Sequence, residues 1–140
     1  MPDPARLGDL QLAILRALWS RGEATAAEVH ADLHAERGLA PTTIATMLRR
    51  LASQGFASFR SEGRVFVYRA AIDEESVQRA AVRDLHERLF AGDAEALVHQ
   101  LLDARELSAS ELERLRALID ARAQSKESES AAKPRRTRRD

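Results

Sequence analysis

The sequence predicts a mainly α-helical fold with one small β-hairpin: a winged helix-turn-helix domain over residues 1–71, a helical dimerisation domain over 72–123 and a disordered basic tail over 124–140. Three observations predict it. The stretch from Pro41 to Gly55 reads as a helix whose two faces have opposite chemistry, and a short capped helix precedes it across a glycine-containing turn. Directly after Gly55 the apolar pattern changes from a helical to a strand period.

In the helix, Pro41 suits the first position because its missing N–H would be unpaired there anyway, and Gly55 is a left-handed stop. Ile44, Met47, Leu48 and Leu51 fall at i, i+3, i+4 and i+7, a single buried stripe. The opposite side collects Thr42, Thr46, Arg49 and Ser53, flanked by Thr43, Ala45 and Arg50, with no carboxylate. Short hydroxyls beside arginines are what a DNA major groove accepts, since hydroxyls reach phosphates or base edges and arginine takes guanine or phosphate. Thr42, Thr43, Ala45, Thr46, Arg49 and Arg50 are therefore candidate DNA-binding residues. Alone, such a face also suits an ordinary solvated helix; the elements around it decide.

Leu10, Ile14, Leu15, Leu18 and Trp19 predict a first helix, with Asp9 near its start and Gly22 past its end. Trp19 lies on the apolar stripe as a core anchor. Thr25-Ala26-Ala27-Glu28 is a capping box that starts a second helix, whose apolar side is Ala26, Val29 and Leu33 and whose stop is near Arg37-Gly38. Leu39-Ala40 joins it to the third helix, a helix-turn-helix arrangement. His30 and His34 have a spacing that can hold a metal, but Ala31 stands where a zinc-protease motif needs glutamate, and a solvated face is expected. The segments 56–60 and 64–69, rich in aromatic and β-branched residues, bracket a Ser61-Glu62-Gly63 turn. Arg60 and Arg64 flank the tip of this hairpin, so it is expected to act as a basic wing on a phosphate backbone or in a minor groove.

Beyond Ala71, Asp73 is placed to cap a helix carrying Val77, Ala81, Leu85 and Leu89, which Gly92 ends. A second segment brings together Leu97, Val98, Leu101 and Leu102; a third, behind a Ser108–Glu111 capping box, aligns Leu112, Leu115, Leu118 and Ile119. Such short helices can hardly bury their leucines alone, so Val77, Ala81, Leu85, Leu89, Leu97, Leu101, Leu112, Leu115, Leu118 and Ile119 are expected to form a homodimer interface, the alternative being that they pack on the winged-helix domain as a monomeric bundle. His86 and His99 stand in no ligand cluster. From Ala123 the chain lacks an apolar period, and disorder is expected.

The chain of 140 residues has 22 Lys+Arg against 22 Asp+Glu, and the balance is uneven. Residues 1–71 carry 9 basic against 7 acidic, 72–123 carry 7 against 12, and 124–140 carry 6 against 3. This asymmetry suits a nucleic-acid-facing part joined to a segment that faces something else. Without cysteine there is no disulfide, thiolate nucleophile or cysteine metal site. No nucleophile–base pair, phosphate loop or metal cluster is evident, so neither an enzyme nor a cofactor or metal is expected. No apolar run approaches a membrane span or signal segment, and a cytoplasmic protein without membrane contact is expected. The competing reading is a winged-helix adaptor that binds protein instead of DNA.

Leu7-Gly8-Asp9-Leu10 with Leu18-Trp19, the helix 41–51 and the hairpin 62–68 together resemble the bacterial repressor family of the penicillinase repressor, the methicillin-resistance repressor and the copper-responsive repressors. The likeness runs from Leu7 to about Ile119 and includes Leu97-Val98-His99-Gln100-Leu101-Leu102. It implies a homodimeric transcriptional repressor on inverted-repeat operators, typically with TACA and TGTA half-sites. It also implies that Thr42, Thr43, Thr46 and Arg49 meet the major groove, with Arg50 nearer the backbone. The cysteine cluster of the copper-responsive branch has no counterpart here. Relatives without metal sites are released when a sensor-controlled protease leads to cutting at an Asn-Phe bond, and the aligned pair here is Gln100-Leu101.

Overall fold

Ile14, Leu15 and Leu18 on the first helix meet Val29, Ile44, Leu48 and Leu51 from the two helices that follow, each with no exposed surface. In the computed structural model, which describes residues 2–104 and 106–132, a 3-10 turn (Pro4–Arg6) leads into α1 (Asp9–Arg21). The chain continues through β1 (Ala24–Thr25), α2 (Ala26–Arg37), α3 (Pro41–Ser53), β2 (Ala57–Glu62) and β3 (Val65–Ala70). The strands form one antiparallel sheet in the order β1-β3-β2. This is a winged helix-turn-helix.

The local chemistry explains the boundaries. The Gln11 side chain accepts the Gly8 amide at 3.0 Å and opens α1, and Gly22, at φ 82, closes it. At α2 the capping box is complete: Thr25 Oγ1 accepts from Glu28 N at 3.2 Å, and Glu28 accepts the Thr25 amide at 3.0 Å. Thr25 also belongs to β1, pairing with Val67, while Ala24 pairs with Tyr68. The sheet therefore has a short third strand that the hairpin pattern did not predict, because two residues are too few to show a period. The hairpin pairs Phe59 with Tyr68 and Glu62 with Val65, so its turn is the two residues Gly63-Arg64 in place of the expected Ser61-Glu62-Gly63. Gly63 carries φ 62 at the first turn position, where a side chain would be strained.

Two compact units divide the chain, one ending at Asp93 and the other beginning at Ala94. The expected boundary after Ala71 thus falls inside the first unit. Helix α4 (Glu74–Arg88) packs against the N-terminal 3-10 turn, and its Val77 is buried at 5% exposure. Trp19 links the same region, donating from Nε1 to the Ile72 carbonyl at 2.8 Å. The second unit holds α5 (Ala94–Ala104) and α6 (Ala109–Ala132). Ser108 caps α6, accepting from Glu111 N at 3.1 Å. The expected disorder from residue 124 is not found up to Ala132: α6 runs on through Ala, Gln, Lys and Glu, good helix formers that need no apolar stripe, and no Pro interrupts them before Pro134. The basic stretch Lys133 to Asp140 lies outside the described residues.

Because Val77 is buried inside the first unit, a chain ending at Asp93 is expected to unfold cooperatively in urea. Ending it at Ala71 should lower stability by about 2 kcal/mol, the scale for exposing one buried valine. Identical urea midpoints for the two fragments would show that α4 adds nothing to this unit.

Candidate nucleic-acid interface

Helix α3 is held by one face only. Ile44, Leu48 and Leu51 are wholly buried, and Met47 packs on the same core, which turns Thr42, Thr43, Thr46, Arg49 and Arg50 outward as exposed side chains. Ala45 is half-buried at the edge of that face. The Thr46 hydroxyl donates to the Thr42 carbonyl at 2.8 Å, so its proton is used within the helix and its methyl and oxygen lone pairs remain for a partner. Thr43 makes no side-chain bond among the described residues. Ala40, at the N-cap, offers no side-chain acceptor, which leaves the positive end of the helix open to an anion.

The turn before α3 is tied down by a residue expected on a solvated face. His30 Nε2 lies 2.7 Å from the Leu39 carbonyl, so the ring nitrogen donates across the turn and fixes the entry of α3. The His34 ring stands 5.0 Å from that of His30, centroid to centroid.

Asp32 and Glu28 on α2 are paired with an arginine of α1. Arg21 at the end of α1 forms a two-point pair with Asp32 at 2.6 and 2.7 Å and reaches Glu28 at 3.1 Å, clamping α1 to α2. The Arg21 hydrogen bond holds the Asp32 carboxyl below its ordinary pKa. Glu28 is also held low, first by the backbone hydrogen bond from Thr25.

At the wing the structure separates the two arginines proposed from sequence. Arg64 is exposed at the turn and has no ion pair among the described residues. Arg60 instead forms a two-point pair with Glu23 at 2.6 and 3.0 Å and approaches Glu62 at 3.5 Å. Arg60 sits opposite Val67 on β3, and Val67 sits opposite Thr25 on β1, so the pair straps β2 across the central strand to the residue preceding β1. The guanidinium holds the Glu23 carboxyl below its ordinary pKa, and Glu23 in turn raises that of Arg60. The wing is fixed to α3 through Gly55, at φ 89, and Phe56, whose amide donates to Leu51 at 2.9 Å and whose carbonyl accepts from Ala71 at 2.8 Å.

The fold is thus a winged helix whose third helix turns an acid-free face outward. The family model described as penicillinase repressor matches residues 7–121. The chain belongs to the penicillinase repressor family. It is 29% identical over 115 residues to the penicillinase repressor of Bacillus licheniformis, covering 82% of this chain and 90% of that one. It is 33% identical to the transcriptional regulator BlaI of Mycobacterium tuberculosis, covering 70% of this chain and 84% of that one. Among solved structures it is similar to the Bacillus licheniformis BlaI monomeric form in complex with the blaP half-operator, with 36% identity, a TM-score of 0.44 and coverage of 50% of this chain and 85% of that one.

In this member of the penicillinase repressor family, Val98, Leu101 and Leu102 on α5 and Leu112, Leu115, Leu118 and Ile119 on α6 are exposed, while Leu97 is half-buried. On α4, Ala81 and Leu89 are exposed and Leu85 is half-buried. Val77 departs from the expected interface set, because its side chain is already used inside the first unit. Gln100 and Leu101 are exposed within α5. Among the described residues no helix is long and apolar enough to cross a membrane.

Arg64 and Arg60 are expected to differ in how they affect duplex binding. Arg64→Ala should lower the slope of log affinity against log salt by about one, whereas Arg60→Ala should weaken binding with the slope nearly unchanged, because Arg60 positions the wing. The lowered Glu23 pKa means the strap's contribution is present above the ordinary carboxylate range and is lost as pH falls through the lowered value. Wing-dependent affinity is therefore flat near neutral pH. Fluorescence anisotropy titrations at several salt concentrations check both statements, and equal slope changes for the two variants would place Arg60 on phosphate.

Proposed function

We propose that this chain is a sequence-specific DNA-binding transcriptional repressor that acts as a homodimer on inverted-repeat operators. Helix α3 enters the major groove, the wing flanks it, and the second unit joins two copies. The carrying observation is α3 itself: a wholly buried apolar stripe backs an exposed face of threonines and arginines with no carboxylate. Membership in a family of named repressors supports the same reading. Thr42, Thr43, Ala45 and Thr46 read base edges with Arg49, while Arg50 meets the backbone. Half-sites of the TACA and TGTA kind are the expected targets.

The dimer reading rests on the apolar stripes of α5 and α6, which the described residues leave uncovered. Leu97, Leu101, Leu112, Leu115, Leu118 and Ile119, with Ala81, Leu85 and Leu89 of α4, form the proposed contact set. Loss of dimerisation ends repression, because two linked half-site contacts then become independent ones. A sensor-controlled protease acting at Gln100-Leu101 would cut α5 in mid-helix and detach α6 with most of the leucines. The protein works in the cytoplasm without cofactor or membrane, and has no catalytic role.

Selection of bound duplexes from a random pool tests the whole reading: an inverted repeat should emerge, with binding that falls steeply with salt. A pool with no enrichment and salt-independent binding would contradict it. On the selected operator the two threonines are expected to behave differently. Thr46→Val should keep most of the operator preference because the methyl is what Thr46 presents, whereas Thr43→Val should lose it with the hydroxyl. Arg50→Ala should weaken operator and random DNA alike. Binding curves for these variants on both duplexes check this, and unchanged preference in Thr43→Val and Thr46→Ala would move base reading off α3.

A further inference from the structure

Helix α2 carries two histidines that neither the core nor the proposed DNA face uses. Spacing alone leaves His30 and His34 as solvated neighbours one turn apart, but the structure fixes both their separation and the chemistry of one ring. Gly38, at φ 57, caps α2 in the left-handed region and folds the chain back along the helix. Leu39 follows with its side chain packed on the core, so its carbonyl is held in place beside His30, whose Nε2 lies 2.7 Å away. A carbonyl only accepts, so the proton sits on His30 Nε2. In the neutral ring Nδ1 is then an unprotonated lone pair.

That is the arrangement of a metal-bound histidine, in which one nitrogen meets the ion and the other donates its N–H to a carbonyl that sets tautomer and ring orientation. The ring separation gives a second match. Two imidazoles on one ion, each at ~2.1 Å with about 90–110° between the bonds, hold their centroids roughly 4.5–5.2 Å apart. His30 and His34 stand at 5.0 Å. His34 is exposed and its ring makes no hydrogen bond among the described residues, so its lone pair is left for a ligand.

We propose that His30 and His34 form a two-histidine chelate for a borderline divalent transition metal (Zn²⁺, Ni²⁺ or Cu²⁺) at the elbow of the helix-turn-helix. Imidazole nitrogens suit these ions, whereas Mg²⁺ and Ca²⁺ take oxygen ligands. No third histidine or carboxylate among the described residues joins the pair, so water fills the remaining positions and the ion exchanges. The site goes beyond the DNA-binding reading and does not depend on it. Its consequence is local. The ion crosslinks the last turns of α2, and by drawing electron density from the His30 ring it makes Nε2–H a stronger donor to Leu39, which tightens the turn that begins α3.

Titration of the full-length protein with zinc chloride alone, followed by imidazole and backbone NMR signals, tests this. Zinc should move the His30 and His34 ring signals together with the amides between them and Ala40, magnesium chloride should move none of these, and zinc should raise the thermal midpoint. His34→Ala, at an exposed position, should keep the fold and weaken zinc binding at α2 by about tenfold or more, because the tethered second imidazole is gone. His30→Gln keeps an N–H donor for the Leu39 carbonyl but removes the ring lone pair, and should weaken zinc binding to a similar extent. His99→Ala breaks another i,i+4 pair, in which His99 Nδ1 meets Asp103 at 3.0 Å, and should leave zinc binding at α2 unchanged. The inference is overturned if zinc leaves the His30 and His34 signals in place, or if His34→Ala and His30→Gln bind zinc at α2 as tightly as the unsubstituted chain. Zinc shifts confined to His99 and Asp103 would overturn it equally.

Discussion

The burial of one stripe on α3 sets the rest of the first unit. Ile44, Leu48 and Leu51 are completely buried in a core to which α1 and α2 contribute Ile14, Leu15, Leu18 and Val29 and the hairpin segment contributes Phe56, Ala57 and Tyr68, and that packing fixes the rotation of α3 about its axis. A helix whose rotation is fixed must present its other face outward. Thr42, Thr43, Thr46 and Arg49 are therefore aimed by hydrophobic packing on the far side of the same helix, and only Thr46 among them is further oriented by a side-chain hydrogen bond in the described residues, to the Thr42 carbonyl. The His30 bond to the Leu39 carbonyl completes this by fixing where the helix begins.

Electrostatics then keep the outward face basic. The first unit holds several carboxylates close in sequence to its arginines, and a phosphate backbone would be repelled by any left beside α3. Arg21 draws Asp32 and Glu28 to the α1–α2 side, and Arg60 takes up Glu23 across the sheet. These pairs are solvent-exposed, so their worth lies in fixing geometry and neutralising these carboxylates more than in stability. Arg49, Arg50 and Arg64 have no ion pair among the described residues and stay available as cations.

Much of this was legible in the sequence because it is local. The capping box at Thr25–Glu28, the Pro41 start and the apolar periods of α1 and α3 each lie within one helix, and the structure places them as the spacing predicts. What escaped depends on residues far apart. Glu23 and Arg60 are separated by 37 positions, so nothing local distinguishes Arg60 from Arg64, and only the sheet register shows that one is a strap and the other is open. Val77 looks like its neighbours in an every-fourth-residue stripe, yet it is buried because α4 folds back on the 3-10 turn at the opposite end of the unit. The extension of α6 to Ala132 escaped for another reason: propensity alone sustains it, without the apolar period by which helices are found.

The central claim is that α3 and the wing tip form one continuous surface that meets duplex DNA. Backbone amide chemical-shift mapping of the 1–93 fragment during titration with a selected half-site duplex tests it most directly. The account predicts that the largest shifts fall on Thr42 to Arg50 and on Gly63 to Phe66, with α4 and the Arg21–Asp32 side of α2 unaffected. Shifts concentrated on α2 or α4, with α3 silent, would contradict it.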